Sequence, residues 1–501
     1  MKKRAYISVF DKTNITELAK RLEAARWEIV STGNTAKLLR ENGIKVTESS
    51  EITGFDELLG GKVKSLHPDI FAPVLADENE AKTLKYSPFS LVIINLYPFE
   101  KYKGVNADID TLIKNIDIGG AALLRAAAKN YKNVTVICDI DDYGLDFDNI
   151  DEKTREMLAL KAFQTTSKYD FTIFEELSYN FGMQKDDALC DLKALYLNKI
   201  QSLRYGENPH QNAALYGYDK QIDFEILNGK EMSYNNILDA TAAINIASEF
   251  FDVSACVIVK HTNPCGVALG QDIEDAWKKA LDCDPLSAFG GIVAFTKEVD
   301  ADVAKHLTSM FLEIVAAPSY TVAALDILKT KKNLCVIKIN TPLEQYRNFV
   351  PQEVKLTPFG VLVQEKDTLE LDPDKFKIVT KLKPTQEQIE DMVFAFKIAK
   401  HVKSNGIVVA KDLRTLGICG GQTSRVGAVE IAINRVCDSP KGAVLASDGF
   451  FPAVDNIHLA AQNRIAAIIQ PAGSIKDKDV IETADKMGLV MAVTGIRHFR
   501  H

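Results

Sequence analysis

The chain has 501 residues, of which 46% are apolar and 26% charged, with a net charge of −8 and a pI near 5.7. That acidic balance argues against a protein that coats nucleic acid, although basic side chains can still gather around one small anion. At about 150 residues per domain, the length predicts about three domains.

The first residues, MKKRAYISVFDKTNI, are positively charged, but the apolar run is short and broken by Asp11 and Lys12, so no secretory leader is expected. No stretch approaches 18 consecutive apolar residues, so no membrane span is expected. Eight cysteines stand at positions 138, 190, 256, 265, 283, 335, 419 and 437 without any C-x2-C pair. Neither structural zinc nor a disulfide framework is suggested, and a reducing, cytoplasmic compartment fits.

In chain order, RAYISVF (Arg4–Phe10) reads as a strand. TNITELAKRLEAARW (Thr13–Trp27) has helical apolar spacing, with Thr13 and Asn14 as caps. EIVST is a strand ending at Gly33, NTAKLLREN a helix ended by Gly43, and IKVTESS (Ile44–Ser50) another strand. FSLVIINLYPF and NVTVICDI are β-branched runs of the kind a parallel sheet buries on both faces. The alternation predicts a Rossmann-like three-layer domain. Asp151–Phe181 reads as helical, and Asp187–Gln211 as the crossing into a second region.

That second region contains a degenerate repeat. SAFGGIVAFTKEVDADVAKHL…EIVAAPSY is set beside LASDGFFPAVDNIHLAAQN…AAIIQPAGS, and CVIVKHTNPCGVA beside NGIVVAKDLRTLGICGG. Two copies of an α/β subdomain are expected, giving a division into 1–190, 191–375 and 376–501.

Several short stretches concentrate polar groups. STGNTAK (Ser31–Lys37) is strand, turn and helix, which aims N–H groups at an anion or simply caps a helix. GGKVKSLHP (Gly60–Pro68) sends Lys62 and Lys64 to one side. NLYPF ends the most apolar strand, where open α/β sheets bind ligands. In NIDIGGAALLRAAAKN, Asp117 precedes a Gly-Gly helix start and Lys129 lies at the far end of that helix. LRYGENPHQ packs Arg204, Tyr205, Asn208 and His210 into one turn, which favours a ligand site. Asn235 and Asn236 precede a helix, Ser404 and Asn405 a strand, and Arg425 lies in a Gly-rich turn.

VKHTNPCG (Val259–Gly266) follows an apolar run. His261 and Cys265 are four apart, but Pro264 keeps them off one helix face, and no second close thiol pair completes a zinc site. A histidine beside a lysine suits acid–base work. On these residues alone, a base and a packed strand-end histidine remain equally open.

SVFDK, STGNTAK, GGKVKSLHP, NLYPF, IDIGGAALLRAAAKN, RYGENPHQ, YNNILDA, VKHTNPCG, SAFGGIVA, SNGIVVAK, GGQTSRV and FFPAVDN run in order from end to end. Together they resemble the bifunctional purine-biosynthesis family that fuses 5-aminoimidazole-4-carboxamide ribonucleotide (AICAR) formyltransferase to IMP cyclohydrolase. The resemblance implies an N-terminal methylglyoxal-synthase-like domain for ring closure and two cytidine-deaminase-like subdomains for formyl transfer. It implies 10-formyltetrahydrofolate as co-substrate, no zinc, a monovalent cation as an open option, and a cytoplasmic homodimer with formyltransferase sites at the subunit interface. Nucleic acid and membrane are not implied as partners.

By position, Lys260 and His261 match the family's catalytic pair and Asn405 its catalytic asparagine. Arg204, Tyr205, His210, Asn236, Arg497 and His501 match nucleotide-binding positions, and Phe450, Asp455 and Asn456 the folate side. Lys64, Tyr97, Asp117 and Lys129 match the cyclohydrolase site, and Lys12, Thr32, Gly33, Thr35 and Lys62 its phosphate-binding positions. The first domain departs from the family at Phe10, Asn34, Lys62, Phe71 and Pro73. Those departures leave a formyltransferase with a weak or inactive first domain as the alternative expectation.

Overall fold

A computed structural model describes residues 3–55, 59, 63–102, 104, 108–183, 197–217, 223–347, 349, 352–372, 376–437 and 439–501. The chain divides into two compact units, Met1–Tyr196 and Leu197–His501. The expected boundary at 190/191 falls among residues outside that description. Among the described residues, no helix is long and apolar enough to cross a membrane.

The first unit is built on five parallel strands: β1 (Arg4–Val9), β2 (Glu28–Ser31), β3 (Val46–Glu48), β4 (Leu91–Asn95) and β5 (Thr135–Ile137), in spatial order β3-β2-β1-β4-β5. β1, β4 and β5 are buried almost throughout, as a parallel sheet covered by helices on both faces requires. The first helix begins at Ile15 with Asn14 at its N-cap; Asn14 is left-handed at φ 58° and makes no side-chain capping bond, and the Thr13 side chain donates to Asp11. One local expectation shifts. The third strand stops at Glu48, which with Glu51 forms a capping box opening the Ser49–Thr53 helix.

The second unit opens with a hairpin, β6 (Asn198–Leu203) and β7 (Ala213–Gly217). A first half supplies β8 (Phe224–Asn228), β9 (Ala255–Lys260), β10 (Asn263–Leu269), β11 (Ile292–Phe295), β12 (Ile314–Ala317) and β13 (Cys335–Ile339). A separate hairpin, β14 (Gln352–Thr357) and β15 (Gly360–Glu365), comes next. The second half supplies β16 (Lys377–Ile378), β17 (Ile407–Lys411), β18 (Arg414–Cys419), β19 (Val444–Ser447), β20 (Ala467–Gln470) and β21 (Val490–Val493). All but the two hairpins form one twelve-stranded sheet, in order β16-β21-β20-β19-β17-β18-β10-β9-β11-β12-β13-β8.

The two halves repeat each other around the β10–β18 seam. Each has a helix (Tyr234–Ala247 or Gln386–Ala399) opened by a capping box, then a hairpin, then three mutually parallel strands. Gly266 and Gly417 show how closely the copies agree. A Cβ on either would fall 2.0 or 2.1 Å from a helix carbonyl, that of Ala280 or Ala432. The pairing of one sequence block needs correction. β11 matches β19, so SAFGGIVAF aligns with SPKGAVLAS rather than with LASDGFF. The division at 375/376 falls beside residues 373–375, which lie outside the description, and the halves on either side share the one sheet.

Candidate active sites

In the first unit, the ends of β1, β2 and β4 gather the polar groups, at the carboxyl edge where open α/β sheets bind ligands. Asn95 ends β4, and its Oδ1 accepts the N–H groups of Phe10 (2.5 Å) and Asp11 (2.9 Å), fixing the loop after β1. Lys12, on that loop, donates to the carbonyls of Val9 and Phe10. Burial, and then the nearby charge of Lys64, hold the Lys12 ammonium below its usual range. Thr35 exchanges hydrogen bonds with the backbone of Val9. Thr32 precedes the Gly33–Glu41 helix and is buried, Gly33 is at φ 52°, and no side chain caps the helix.

Asp117 faces the same group. Its carboxylate accepts the Gly120 N–H at 2.7 Å and also meets the Tyr97 backbone N–H and the Lys64 charge. Burial outweighs these contacts and raises its pKa above the usual carboxylate value. The chain therefore brings Lys12, Lys64, Tyr97 and Asp117 together. Lys129 ends the Gly119–Lys129 helix with an exposed side chain, about 15 Å of helical rise from its first turn. Lys62 lies outside the described residues.

The departures of this unit separate by location. Phe10 is 42% exposed, packs edge-on to Tyr97 with ring centroids 5.4 Å apart, and lines an open cavity of about 520 Å³ with Lys12, Asn95 and Lys101. Asn34 lies in the first turn of its helix. Phe71 and Pro73 instead pack into the core, where the Pro73 carbonyl accepts the Phe89 N–H. Sequence reasoning missed Tyr169, whose hydroxyl accepts the Asp117 N–H at 2.9 Å and donates to the Asn115 carbonyl at 3.1 Å. Burial pushes that phenol up to about 12, so it stays a neutral clamp.

In the second unit, strand direction collects the remaining positions at one end of the sheet. β9 ends there at Lys260, β17 begins there just after Asn405, and β19 and β21 end there before Phe450 and Arg497. Lys260 Nζ donates to the Phe289 carbonyl at 2.7 Å. His261 and Thr262 form the two-residue turn of the β9–β10 hairpin, at φ 52° and 62°. Left-handed backbone at both positions is the type I′ pattern that normally selects Asn-Gly. A histidine followed by a β-branched residue is strained there by about 1 kcal/mol or more each. His261 is exposed.

Asn405 lies three strands across from His261, on the order of 14 Å at the usual strand spacing. Its Nδ2 donates to the Gln422 carbonyl at 2.8 Å. The neighbouring Ser404 hydroxyl donates to Asp448, which also accepts from Arg425. Phe450 packs near Gly473; Asp455 and Asn456 open a helix, with Asn456 buried and donating to Asp455. Arg497 stacks on Phe499 at 4.5 Å, and the His501 carbonyl accepts from Lys355.

The Arg204–Gln211 turn closes on itself through Gly206 and Asn208, leaving Arg204 and His210 exposed and Tyr205 half-buried. Asn235 donates to its Glu207 carbonyl at 3.2 Å. Asn236 engages its Oδ1 in the capping box with Ser233. Cys265 donates to the Ile258 carbonyl, and burial raises its thiol to about 12, which marks a structural cysteine. Among the described residues, no three His, Cys, Asp or Glu side chains gather as a metal site.

Two family models match successive parts of the chain, and the second begins inside the first structural unit and crosses its boundary. The family model for the AICARFT/IMPCHase bienzyme matches residues 127–435, and that for the MGS-like domain residues 14–122. The chain is 46% identical over 527 residues to the bifunctional purine biosynthesis protein PurH of Persephonella marina, covering all of both chains. It is 47% identical over 521 residues to PurH of Caldicellulosiruptor bescii and 48% over 521 to that of Caldicellulosiruptor saccharolyticus, again at full coverage of both.

Proposed function

This chain belongs to the bifunctional AICAR formyltransferase/IMP cyclohydrolase family, and from that premise we propose which side chains carry each reaction. The enzyme transfers a formyl group from 10-formyltetrahydrofolate to the 5-amino nitrogen of AICAR. It then closes the formylated nucleotide to IMP with loss of water, the last two steps of de novo purine synthesis. Identity to PurH proteins across the whole of both chains carries this reading.

We assign formyl transfer to the Leu197–His501 unit, whose halves we read as cytidine-deaminase-like subdomains. His261 takes the proton from the 5-amino nitrogen as that nitrogen attacks the formyl carbon. Lys260, oriented by the Phe289 carbonyl, stabilises the developing oxyanion or protonates N10 as the folate leaves as a neutral amine. Asn405 completes the polar end of the site. Arg204, Tyr205, His210, Asn236, Arg497 and His501 hold the nucleotide, and Phe450, Asp455 and Asn456 line the folate side.

We assign ring closure to the Met1–Tyr196 unit. Lys12 and Lys64 repel each other in a half-buried setting, a strain that a bound phosphate relieves. The uncapped helix start at Thr32, Gly33 and Thr35 supplies N–H groups for the same anion. Lys64, Tyr97 and Asp117 orient the formamide carbonyl for attack by the carboxamide nitrogen. The raised pKa of Asp117 suits a carboxyl that holds and returns a proton while water leaves.

We further propose a cytoplasmic homodimer, supported by Leu356, Phe359, Val361 and Leu362, which stand exposed on the β14–β15 hairpin. We assign no residues to a monovalent cation.

The test is a coupled assay. AICAR and 10-formyltetrahydrofolate should yield tetrahydrofolate and IMP, and no folate-dependent turnover would overturn the reading. Formylated nucleotide supplied directly should reach IMP without folate. If it accumulates unchanged, the departures at Phe10 and Asn34 have left a formyltransferase with a nucleotide-binding first unit. Lys64→Ala should lose ring closure alone.

A further inference from the structure

The strained turn that presents His261 needs something to hold it. Among the described residues, two consecutive non-glycine residues in the left-handed region occur twice, at His261–Thr262 and at Asp412–Leu413. Both pairs are hairpin turns at matching places in the duplicated halves. Each is braced by a carboxylate that is the sixth residue of the half's first helix. Asp391 accepts the N–H groups of Asp412 (3.1 Å) and Leu413 (2.7 Å). Asp239 accepts the Thr262 N–H at 2.6 Å.

Asp239 also lies one helical turn from Asn235, which holds the Arg204–Gln211 turn through the Glu207 carbonyl. One face of the Tyr234–Ala247 helix therefore carries the anchor of the nucleotide turn and the anchor of the catalytic turn. We propose that Asp239 is a positioning residue for formyl transfer. Its carboxylate fixes the left-handed Thr262 peptide and so sets where the His261 imidazole stands relative to the 5-amino nitrogen. Asp239 touches neither substrate nor folate in this role. The proposal rests on the assignment of His261 as the base.

The duplication provides the control. Asp239→Ala should lower kcat for formyl transfer about 10- to 100-fold, the scale of a misplaced catalytic group, with KM for AICAR unchanged. Asp239→Asn keeps a carbonyl acceptor for the Thr262 N–H and should recover most of that loss. In a His261→Ala background, Asp239→Ala should lower kcat no further. Asp391→Ala removes the equivalent brace from the other turn and should lower the Tm while leaving formyl-transfer kcat within about twofold. Should Asp239→Ala fail to fold, Asp239→Glu, which shifts the acceptor by one methylene, takes its place with the same expected split. Equal losses of kcat in the Asp239 and Asp391 variants, or a loss confined to KM, would overturn the proposal. Full formyl transfer by His261→Ala alone would instead overturn the assignment of the base.

Discussion

Hairpin β9–β10 turns through His261 and Thr262, and hairpin β17–β18 through Asp412 and Leu413. Both turns are left-handed at two non-glycine positions, and both are held by a helix carboxylate. The lysine before each turn reaches a backbone carbonyl: Lys260 that of Phe289, and Lys411 that of Lys441. The framework is therefore common to both halves, and strain alone does not mark a catalytic turn. The identity of the side chain the framework carries makes the difference, an imidazole in one half and a carboxylate in the other.

The largest expected effect tests that difference directly. His261→Ala should lower formyl transfer by about 10²- to 10⁴-fold, the usual worth of a positioned general base. Asp412→Ala, at the matching position, should leave it within about twofold. Folate-dependent turnover measured on both variants decides the matter. Comparable losses would mean that the turns act as scaffolding and that the chemistry lies elsewhere.

A second effect probes the place where the halves meet. Glu249 and His401 follow the two matching helices 152 residues apart, and their side chains meet at 2.9 Å. Glu249 is also paired with Lys400 at 2.7 Å and Arg347 at 3.3 Å, all well buried. Despite burial, His401, Lys400 and their hydrogen bonds hold the Glu249 carboxyl well below its usual range. Glu249→Ala leaves buried cations without their partner and should cost about 3–5 kcal/mol in denaturant unfolding. His401 is pushed down to about 4 from 6.5 by burial. The native state thus binds fewer protons than the unfolded one in that window, and stability should fall as pH drops from 6.5 towards 4. His401→Gln should flatten that fall.

A third pair of variants tests the equivalence of the copies. Gly266→Ala and Gly417→Ala each drive a Cβ into a helix carbonyl that has no room to yield. Each should destabilise by about 1–3 kcal/mol, the range for overpacking, and by similar amounts. A large difference between their unfolding midpoints would show that the copies are less alike in rigidity than in backbone.

The apolar, β-branched runs were legible as strands because burial on both faces leaves little choice of residue, as in LVIIN of β4 and ACVIV of β9. The ordered motif string was enough to name the family. The seam between the halves was not legible. β10 meets β18 through Ala268 opposite Arg414, with the Val267 N–H donating to Thr415. Those contacts span about 150 positions and follow no local pattern. Asp239 escaped notice for a related reason: its partner is a backbone N–H 23 residues away, which any residue type supplies. One signal was present, an aspartate at the sixth position of an otherwise largely apolar helix, repeated at Asp391 in the second half beside Glu387 and Glu390. Lys129 illustrates the opposite case: the resemblance groups it with Asp117, while the spacing already set it at the far end of the helix, where helical rise keeps it.

The smallest expected effect concerns the brace of the Asp412–Leu413 turn. Burial is the largest influence on Asp391 and raises its pKa above 3.8, against the two N–H groups that favour the ionised form. The native state therefore keeps its proton to a higher pH than the unfolded chain. Between 3.8 and the raised value the unfolded state binds fewer protons, so this group's contribution to stability declines as pH rises through that window. Asp391→Asn retains one carbonyl acceptor for the turn and removes the ionisation. Its unfolding free energy should lack that decline, while formyl transfer stays within about twofold of wild type. Denaturant unfolding of both proteins at steps from about pH 4 to 7 measures the difference. Parallel profiles would mean that the two N–H donors compensate fully for burial, leaving the brace as indifferent to pH as an amide.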